Sequence, residues 1–458
     1  MRRLSGVLLA ALVAGCGGGA TVGRAPAPPP APAPAPKPVR AVLVTVVDGD
    51  THARVRGAVV RVGGRAARTD ARGVARIPLR RHVALVTRVR ARGYLERELR
   101  LPFRRRPRST VRLYRPALQW PVYGVDARRT QAQTEIRLRP PFRVLWSRGT
   151  GSLTEFPAVV SEGVAYIGNF HGTVTALAMA NGRLLWRRET HRGKMASSPA
   201  VWGDRLVVHG MDGAVRVLDR ATGRLLARYR VGSPVESSPI VRGGVDYFGA
   251  WDGRVYALDL RRRRLRWTFS SGCKITSSAS IAGGTLYIGD YCGRLLALSP
   301  ATGRERWSGA VGGRIYGTPA VAGGRVFVPS STGGSLTAFS TGGRFLWRRT
   351  FGSYVYSSPA VWRGRVFFGA YDGVFRAVSA ASGRTLWSVP TGGAISGAAV
   401  VVAGVAYAGS FAHRIVGVDA ASGRVLLDFP HGAYVPVSGD GGRLLLHGYS
   451  RLYAVAPR

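Results

Sequence analysis

Residues 357–387 read SSPAVWRGRVFFGAYDGVFRAVSAASGRTLW. The stretch parses as four short strands joined by three turns. Ser357-Ser358-Pro359-Ala360-Val361 is a strand of small residues, and Trp362-Arg363-Gly364 turns the chain into the next, Arg365–Gly369. Tyr371-Asp372-Gly373 is a hairpin turn, because Asp-Gly tolerates the positive φ that tight hairpins need. Val374–Ser379 alternates apolar and polar residues, as a half-buried strand does. Ala381-Ser382-Gly383 turns again, and Arg384-Thr385-Leu386-Trp387 closes the unit.

Most of the chain repeats this unit. Equivalent strands open at Phe156, Ser197, Ser237, Ser277, Gly317, Ser357 and Gly397, spaced by 40 residues from Ser197 onward. Closing tryptophans stand at Trp186, Trp267, Trp307, Trp347 and Trp387, with Ala227 and Leu427 in the same slot of two units. Gly182, Gly223, Gly303, Gly343, Gly383 and Gly423 precede that slot by four residues. A period near 40 with four strands per unit is the mark of a β-propeller.

Seven complete units span about residues 153–433, and residues 434–458 supply only three strands. The missing outer strand is at the other end, where residues 142–146 carry Trp146 in register, 40 residues before Trp186. The expectation is an all-β chain over 117–458, an eight-bladed propeller closed by its N-terminal strand, leaving no free sheet edge.

The motif Ala-x-Asp-x-x-Thr-Gly-x-x-x-Trp resembles the tryptophan-docking motif of the pyrroloquinoline quinone (PQQ) dehydrogenase-like propellers. It appears as Val217-Leu218-Asp219 followed by Thr222-Gly223, as Ala297 to Trp307 and as Ala377 to Trp387. The resemblance implies that Trp146, Trp186, Trp267, Trp307, Trp347 and Trp387 lock blades together rather than stack on ligands. It also opens two functional readings. One is a non-enzymatic scaffold similar to the outer-membrane protein assembly factor propellers. The other is a quinoprotein oxidoreductase, which would use PQQ and calcium.

The N-terminus reads as a lipoprotein signal over residues 1–15. Arg2 and Arg3 precede an apolar run too short to span a bilayer. Val13-Ala14-Gly15-Cys16 resembles a bacterial lipobox, which makes Cys16 the lipidated residue of a chain anchored outside the cytoplasm. Two or more acyl chains hold such a protein stably on a membrane. Residues 16–39 are a Gly/Pro/Ala tether whose Pro-rich part, extended at roughly 3.1 Å per residue, reaches about 40 Å. Residues 40–116 read as a separate small β domain. Its order GAVVRVGG, TDARGVARIPL and ARGY resembles the carboxypeptidase-regulatory-like and Ig-like sandwiches of bacterial surfaces.

The formal charge is +44, from 67 Lys+Arg against 23 Asp+Glu. Only Lys37, Lys194 and Lys274 are lysines. Almost all of the positive charge is therefore arginine, and it is scattered through strands and turns, as a solvated surface in a GC-rich coding sequence would have it. Polyanion binding is the sharper reading of the same charge, but no nucleic-acid module is visible. The basic run 103–108 reads as a solvated loop.

Residues leading into the inner strands face the central funnel: Glu155, Lys194, Glu236, Lys274, Arg314, Tyr316, Tyr354 and Tyr356. A basic, aromatic mouth suits an anionic ligand or a peptide; satisfied rim residues are the plainer reading. Cys273, before an inner strand, and Cys292, in the adjacent hairpin turn, lie on one face of an antiparallel blade. A disulfide there suits an oxidising compartment. His171, His191, His209, His413, His431 and His447 are dispersed, without metal-ligand spacing. No catalytic residue, metal site or cofactor is assigned. The expected partners are other envelope proteins or peptides and, through the anchor, the membrane, with the chain acting as a monomer and without specific nucleic acid.

Overall fold

In the computed structural model the described residues are 40–79, 84–102, 108–190 and 194–458. The expected signal peptide, Cys16, the tether, residues 103–107 and His191 lie outside them. Every regular element among the described residues is a strand, apart from one short 3-10 turn at Pro116–Leu118.

Residues 40–113 form two sheets. One orders Val74–Leu79, Arg40–Asp48 and Arg108–Leu113; the other orders Arg65–Arg68, Val59–Val62, Ala84–Arg90 and Arg97–Pro102. Alternate residues of facing strands, among them Val42, Val44, Val60, Val62, Ile77 and Val111, fill the core between them. The sequence reading missed Arg65–Arg68 because RAAR carries no apolar alternation. A two-residue hairpin sets that strand: Gly63 and Gly64, at φ 52° and 81°, fold it back onto Val59–Val62.

From Phe142 to Pro457 the chain runs through successive four-stranded antiparallel meanders, the arrangement of a β-propeller. The first comprises Val159–Ser161, Val164–Gly168, Thr173–Ala178 and Leu184–Glu189. In the last, Gly432–Gly439, Leu444–Gly448 and Arg451–Pro457 take Phe142–Gly149 as their outer strand, with Ala454 opposite Trp146. The first and last sheets share one core, in which Val160 and Ile167 pack with Val437 and Leu446. Second and third strands are almost wholly buried. Outer strands such as Leu184–Glu189 bury little beyond their tryptophan, which is where much of the arginine goes.

Each of the six tryptophans holds the following sheet. Their indole N–H groups donate to Met179, Arg220, Pro300, Thr341, Ala380 and Ala420 carbonyls, at 2.9–3.2 Å. The rings lie over Gly182, Gly223, Gly303, Gly343, Gly383 and Gly423, all at positive φ, where a Cβ would enter the ring.

The Ser-Ser-Pro segments differ from the expectation of a five-residue strand. In the opening stretch only Ala360–Trp362 pairs. Proline has no N–H to give a ladder, and the hydroxyls before it have another use. Ser238 Oγ accepts the Ser198 N–H at 3.1 Å, Ser278 Oγ that of Ser238 at 2.8 Å, and Ser358 Oγ that of Thr318 at 2.9 Å. Each bond joins positions 40 residues apart, so the hydroxyls fasten neighbouring inner strands around the axis.

Residues 119–133 close one end of that axis. The carbonyls of Trp120, Pro121, Ala127, Arg128, Thr130 and Gln131 accept N–H groups from Val160, Val201, Ile281, Val321, Val361 and Val401, the middle residue of six inner strands. Arg129 is buried at the centre and donates to the carbonyls of Ala279, Ser238, Pro239 and Tyr123. The two domains meet beside this plug. Gln119 donates to Asp50 at 3.3 Å, and Arg97 pairs with Glu162 at 3.5 Å.

Candidate functional site: the open mouth of the propeller

The plug, held on six inner strands, forms the floor of a cup at the axis. Its floor is Tyr123, whose hydroxyl donates to Ser358 Oγ at 3.1 Å and whose ring meets Phe156 edge-on at 5.6 Å. Above it lies a cavity of about 30 Å³ lined by Glu155, Tyr316, Tyr356, Tyr434 and inner-strand hydroxyls. That volume holds about two waters.

Four of the sequence candidates meet at this level. Tyr316 donates its phenol to Glu236 Oε1, and the Trp251 indole donates to Oε2 at 3.0 Å. Both oxygens of Glu236 are thereby held. Tyr356 meets Tyr316 edge-on at 5.5 Å. Glu155 lines the cavity, where burial, then the charge of Glu236, pushes its carboxyl up to about 7. Burial and the same two carboxylates push the Tyr316 phenol far above its usual range.

The other four stand further out. Lys274 Nζ sits 3.3 Å from the Trp251 ring centre and 5.0 Å from that of Tyr291. Arg314 lies 5.6 Å over Tyr291, and Lys194 4.8 Å over Phe170. Tyr354 is 51% exposed and joins Tyr356 and Tyr371 in one aromatic cluster. Burial lowers the Lys274 ammonium below its usual value. Cys273 and Cys292 form a disulfide with Cα atoms 5.8 Å apart, fixing the loop that carries Lys274 to the turn that carries Tyr291.

Sequence reasoning missed the partners of these residues. The first residue of each second-to-third-strand turn is Phe170, Met211, Trp251, Tyr291, Ser331, Tyr371, Phe411 or Tyr449. Together they make a collar around the mouth, aromatic except at Met211 and Ser331. The lead-in loops position it: the carbonyls of Lys194, Lys274, Arg314 and Tyr354 accept the N–H groups of Met211, Tyr291, Ser331 and Tyr371. Tyr356, Tyr371, Phe411 and Tyr434 continue it as an unbroken run, with centroids 4.9, 6.1 and 5.2 Å apart. The signal was in the sequence, at matching places in the turns and directly before Asp-Gly at Met211, Trp251 and Tyr371, but reads as turn filler until the turns are seen to converge.

Three features of the cup bear on the quinone reading. The cavity above Tyr123, about 30 Å³, is smaller than the several hundred Å³ of a usual small-molecule site. Glu236 is already held by Tyr316 and Trp251. Among the described residues no group of three or more His, Cys, Asp or Glu side chains is placed to hold a metal ion.

Fold and repeat together define a propeller built of PQQ-like repeats. The family model described as "Outer membrane protein assembly factor BamB" matches residues 143–261, 170–317, 251–344 and 312–433, well over half of the chain, and the chain belongs to that family. Among curated proteins, the outer membrane protein assembly factor BamB of Taylorella asinigenitalis is 34% identical over 70 residues, 15% of this chain and 18% of that protein. The matched stretches cover less than a third of the length of the curated relatives. Among solved structures, BamB from Moraxella catarrhalis superposes with a TM-score of 0.59 at 18% identity, over 69% of this chain and 98% of that one. The quinohemoprotein alcohol dehydrogenase of Comamonas testosteroni reaches 0.65 at 15% identity, over 74% of this chain and 80% of that one. At such identities these two likenesses speak for the fold alone.

Proposed function

We propose that this chain is a non-enzymatic binding propeller of the bacterial cell envelope that holds a segment of a partner protein in its open mouth during envelope protein assembly. The propeller is a closed ring of eight blades. The domain over 40–116 is an Ig-like spacer, and lipidated Cys16 tethers the chain outside the cytoplasm as a monomer. No cofactor takes part.

The observation that carries this reading is the asymmetry of the two faces. One end of the axis is sealed by residues 119–133, with the small domain beside it. The other presents a largely aromatic collar with cationic side chains around a cup. Exposed aromatic rings and long cationic side chains are the groups that anchor protein partners. Family membership supports the assembly role, and the expected lipobox supports the location.

The test places a photo-crosslinking residue at Tyr354 or Tyr371 on the mouth, and at Arg363 in a turn between first and second strands. A discrete envelope protein captured from the mouth positions alone supports the proposal. Capture from Arg363 alone overturns it. So does dye-linked alcohol or sugar oxidation after incubation with PQQ and calcium.

A further inference from the structure

Glu155 and Glu236 stand at the axis of a strongly cationic chain, and the cation that acts on them, Lys274, reaches Glu236 through its field and not through an ion pair. Arginine and lysine outnumber acids 67 to 23. Yet neither carboxylate makes a salt bridge among the described residues, although Glu236 is only 7% exposed. Buried carboxylates are ordinarily paired or protonated. Glu236 is satisfied by two neutral donors, the Tyr316 phenol and the Trp251 indole. Glu155 is left facing the cavity.

The walls of that cavity are of two kinds. Tyr316, Tyr356, Tyr434 and Phe156 supply aromatic rings, and Thr276, Thr318, Ser358 and Ser396 supply hydroxyls. The Thr276 hydroxyl is buried and has no partner at hydrogen-bond geometry among the described residues, with the Tyr291 phenol as its polar neighbour. Aromatic faces around one carboxylate are the chemistry that recognises an alkylammonium. A calcium ion instead takes six to eight oxygen ligands. The volume, about that of two waters, admits a terminal CH₂–NH₃⁺ and no larger head.

We infer that the axial cup is a receptor for one primary ammonium group on an unbranched apolar stem, such as a lysine side chain of the bound partner. The ammonium pairs with Glu155 and donates to the hydroxyl wall. The stem runs up between Tyr356 and Tyr434, and the collar receives the chain that carries it. The inference rests on the binding reading above and names what the mouth reads.

Glu155 is faced by Glu236, Tyr316, Tyr356 and Tyr434, with Lys274 and Arg314 above them. Its pairing therefore depends on its own ionisation, with a carboxyl held up to about 7. The probe is n-butylammonium, titrated into the purified full chain in detergent at low salt while the Trp251 indole is followed by NMR. Saturable binding is expected, with none for n-butanol. Affinity is expected to fall about 30-fold from pH 8.5 to 5.5, the titration of one such carboxyl. Glu155→Gln is expected to lose at least tenfold, and Glu155→Asp to retain part. Equal binding of n-butanol, competition by sodium ions at equal concentration, or a flat pH response of the unaltered protein overturns the inference, even if Glu155→Gln fails to fold. If butylammonium does not bind while the Tyr371 crosslink persists, the ammonium site falls and the binding propeller stands. If it binds while no mouth crosslink forms, the reverse holds.

Discussion

The hydroxyl of Tyr123 donates to Ser358 Oγ at 3.1 Å, across 235 residues of sequence. That bond joins the plug to the segment leading into the inner strand Ala360–Trp362. The same Ser358 oxygen accepts the Thr318 N–H from the neighbouring blade at 2.9 Å. One hydroxyl thus ties two blades and the plug together at the floor of the cup.

The plug should be a main determinant of stability. Arg129 is 1% exposed, and burial lowers its guanidinium to about 10. It satisfies four carbonyls at the axis. Arg129→Ala strands them in a dry site, at about 1–3 kcal/mol for each buried group left unsatisfied. A loss of about 3 kcal/mol or more is expected by chemical denaturation. A loss under 1 kcal/mol would show that the plug does not clamp the ring.

Blade locking separates into two parts. Trp387→Phe keeps a ring over Gly423 but removes the bond to the Ala420 carbonyl. Its expected cost is about 1 kcal/mol. Gly423→Ala forces a Cβ to within 2.9 Å of the Trp387 ring at φ +78°. It should cost more than the Phe variant, and thermal melts of the two in parallel check the order.

The contact between the domains should weaken as pH rises. Burial first, then the charges of Asp440 and Asp48, hold the Asp50 carboxyl up at about 8. An unfolded aspartate titrates near 3.9. Between these values the folded chain keeps a proton that the unfolded chain has shed, so stability declines from about pH 4 to about pH 8. Asp50→Asn should flatten this decline. Melting temperatures at pH 5 and 8.5 test it; an unchanged slope in the variant would refute the assignment.

The disulfide closes a sequence separation of 19 residues. Chain-entropy arguments give about 3 kcal/mol for such a loop. A Cys273→Ala, Cys292→Ala double variant is expected to lose about that much. It should also loosen the lead-in loop of Lys274, read as faster amide exchange at Tyr291, whose N–H bonds to the Lys274 carbonyl.

What could be read from one sequence was whatever repeats or stays local. The 40-residue period, the Asp-Gly hairpins, the glycine before each closing tryptophan and the outer strand carried by Trp146 all declare themselves. Each is a short-range preference written many times, and repetition separates it from chance. The eight lead-in candidates were chosen for the same reason, since they occupy matching places in successive units; the structure brings Glu155, Glu236, Tyr316 and Tyr356 together and sets Lys194, Lys274, Arg314 and Tyr354 further out.

Tertiary structure decided everything that depends on convergence at the axis. Residues 119–133 carry no repeat and almost no regular structure, yet they bond to six inner strands and close the cup. The Ser-Ser-Pro segments look like strand, and their hydroxyls become staples only because identical positions meet 40 residues apart. Phe170, Trp251, Tyr291, Tyr371, Phe411 and Tyr449 are turn residues one at a time and a collar together. Sequence spells out what each blade prefers. Which side chains share the axis, and which carboxylates meet there without a salt bridge among the described residues, follows only from closing the ring.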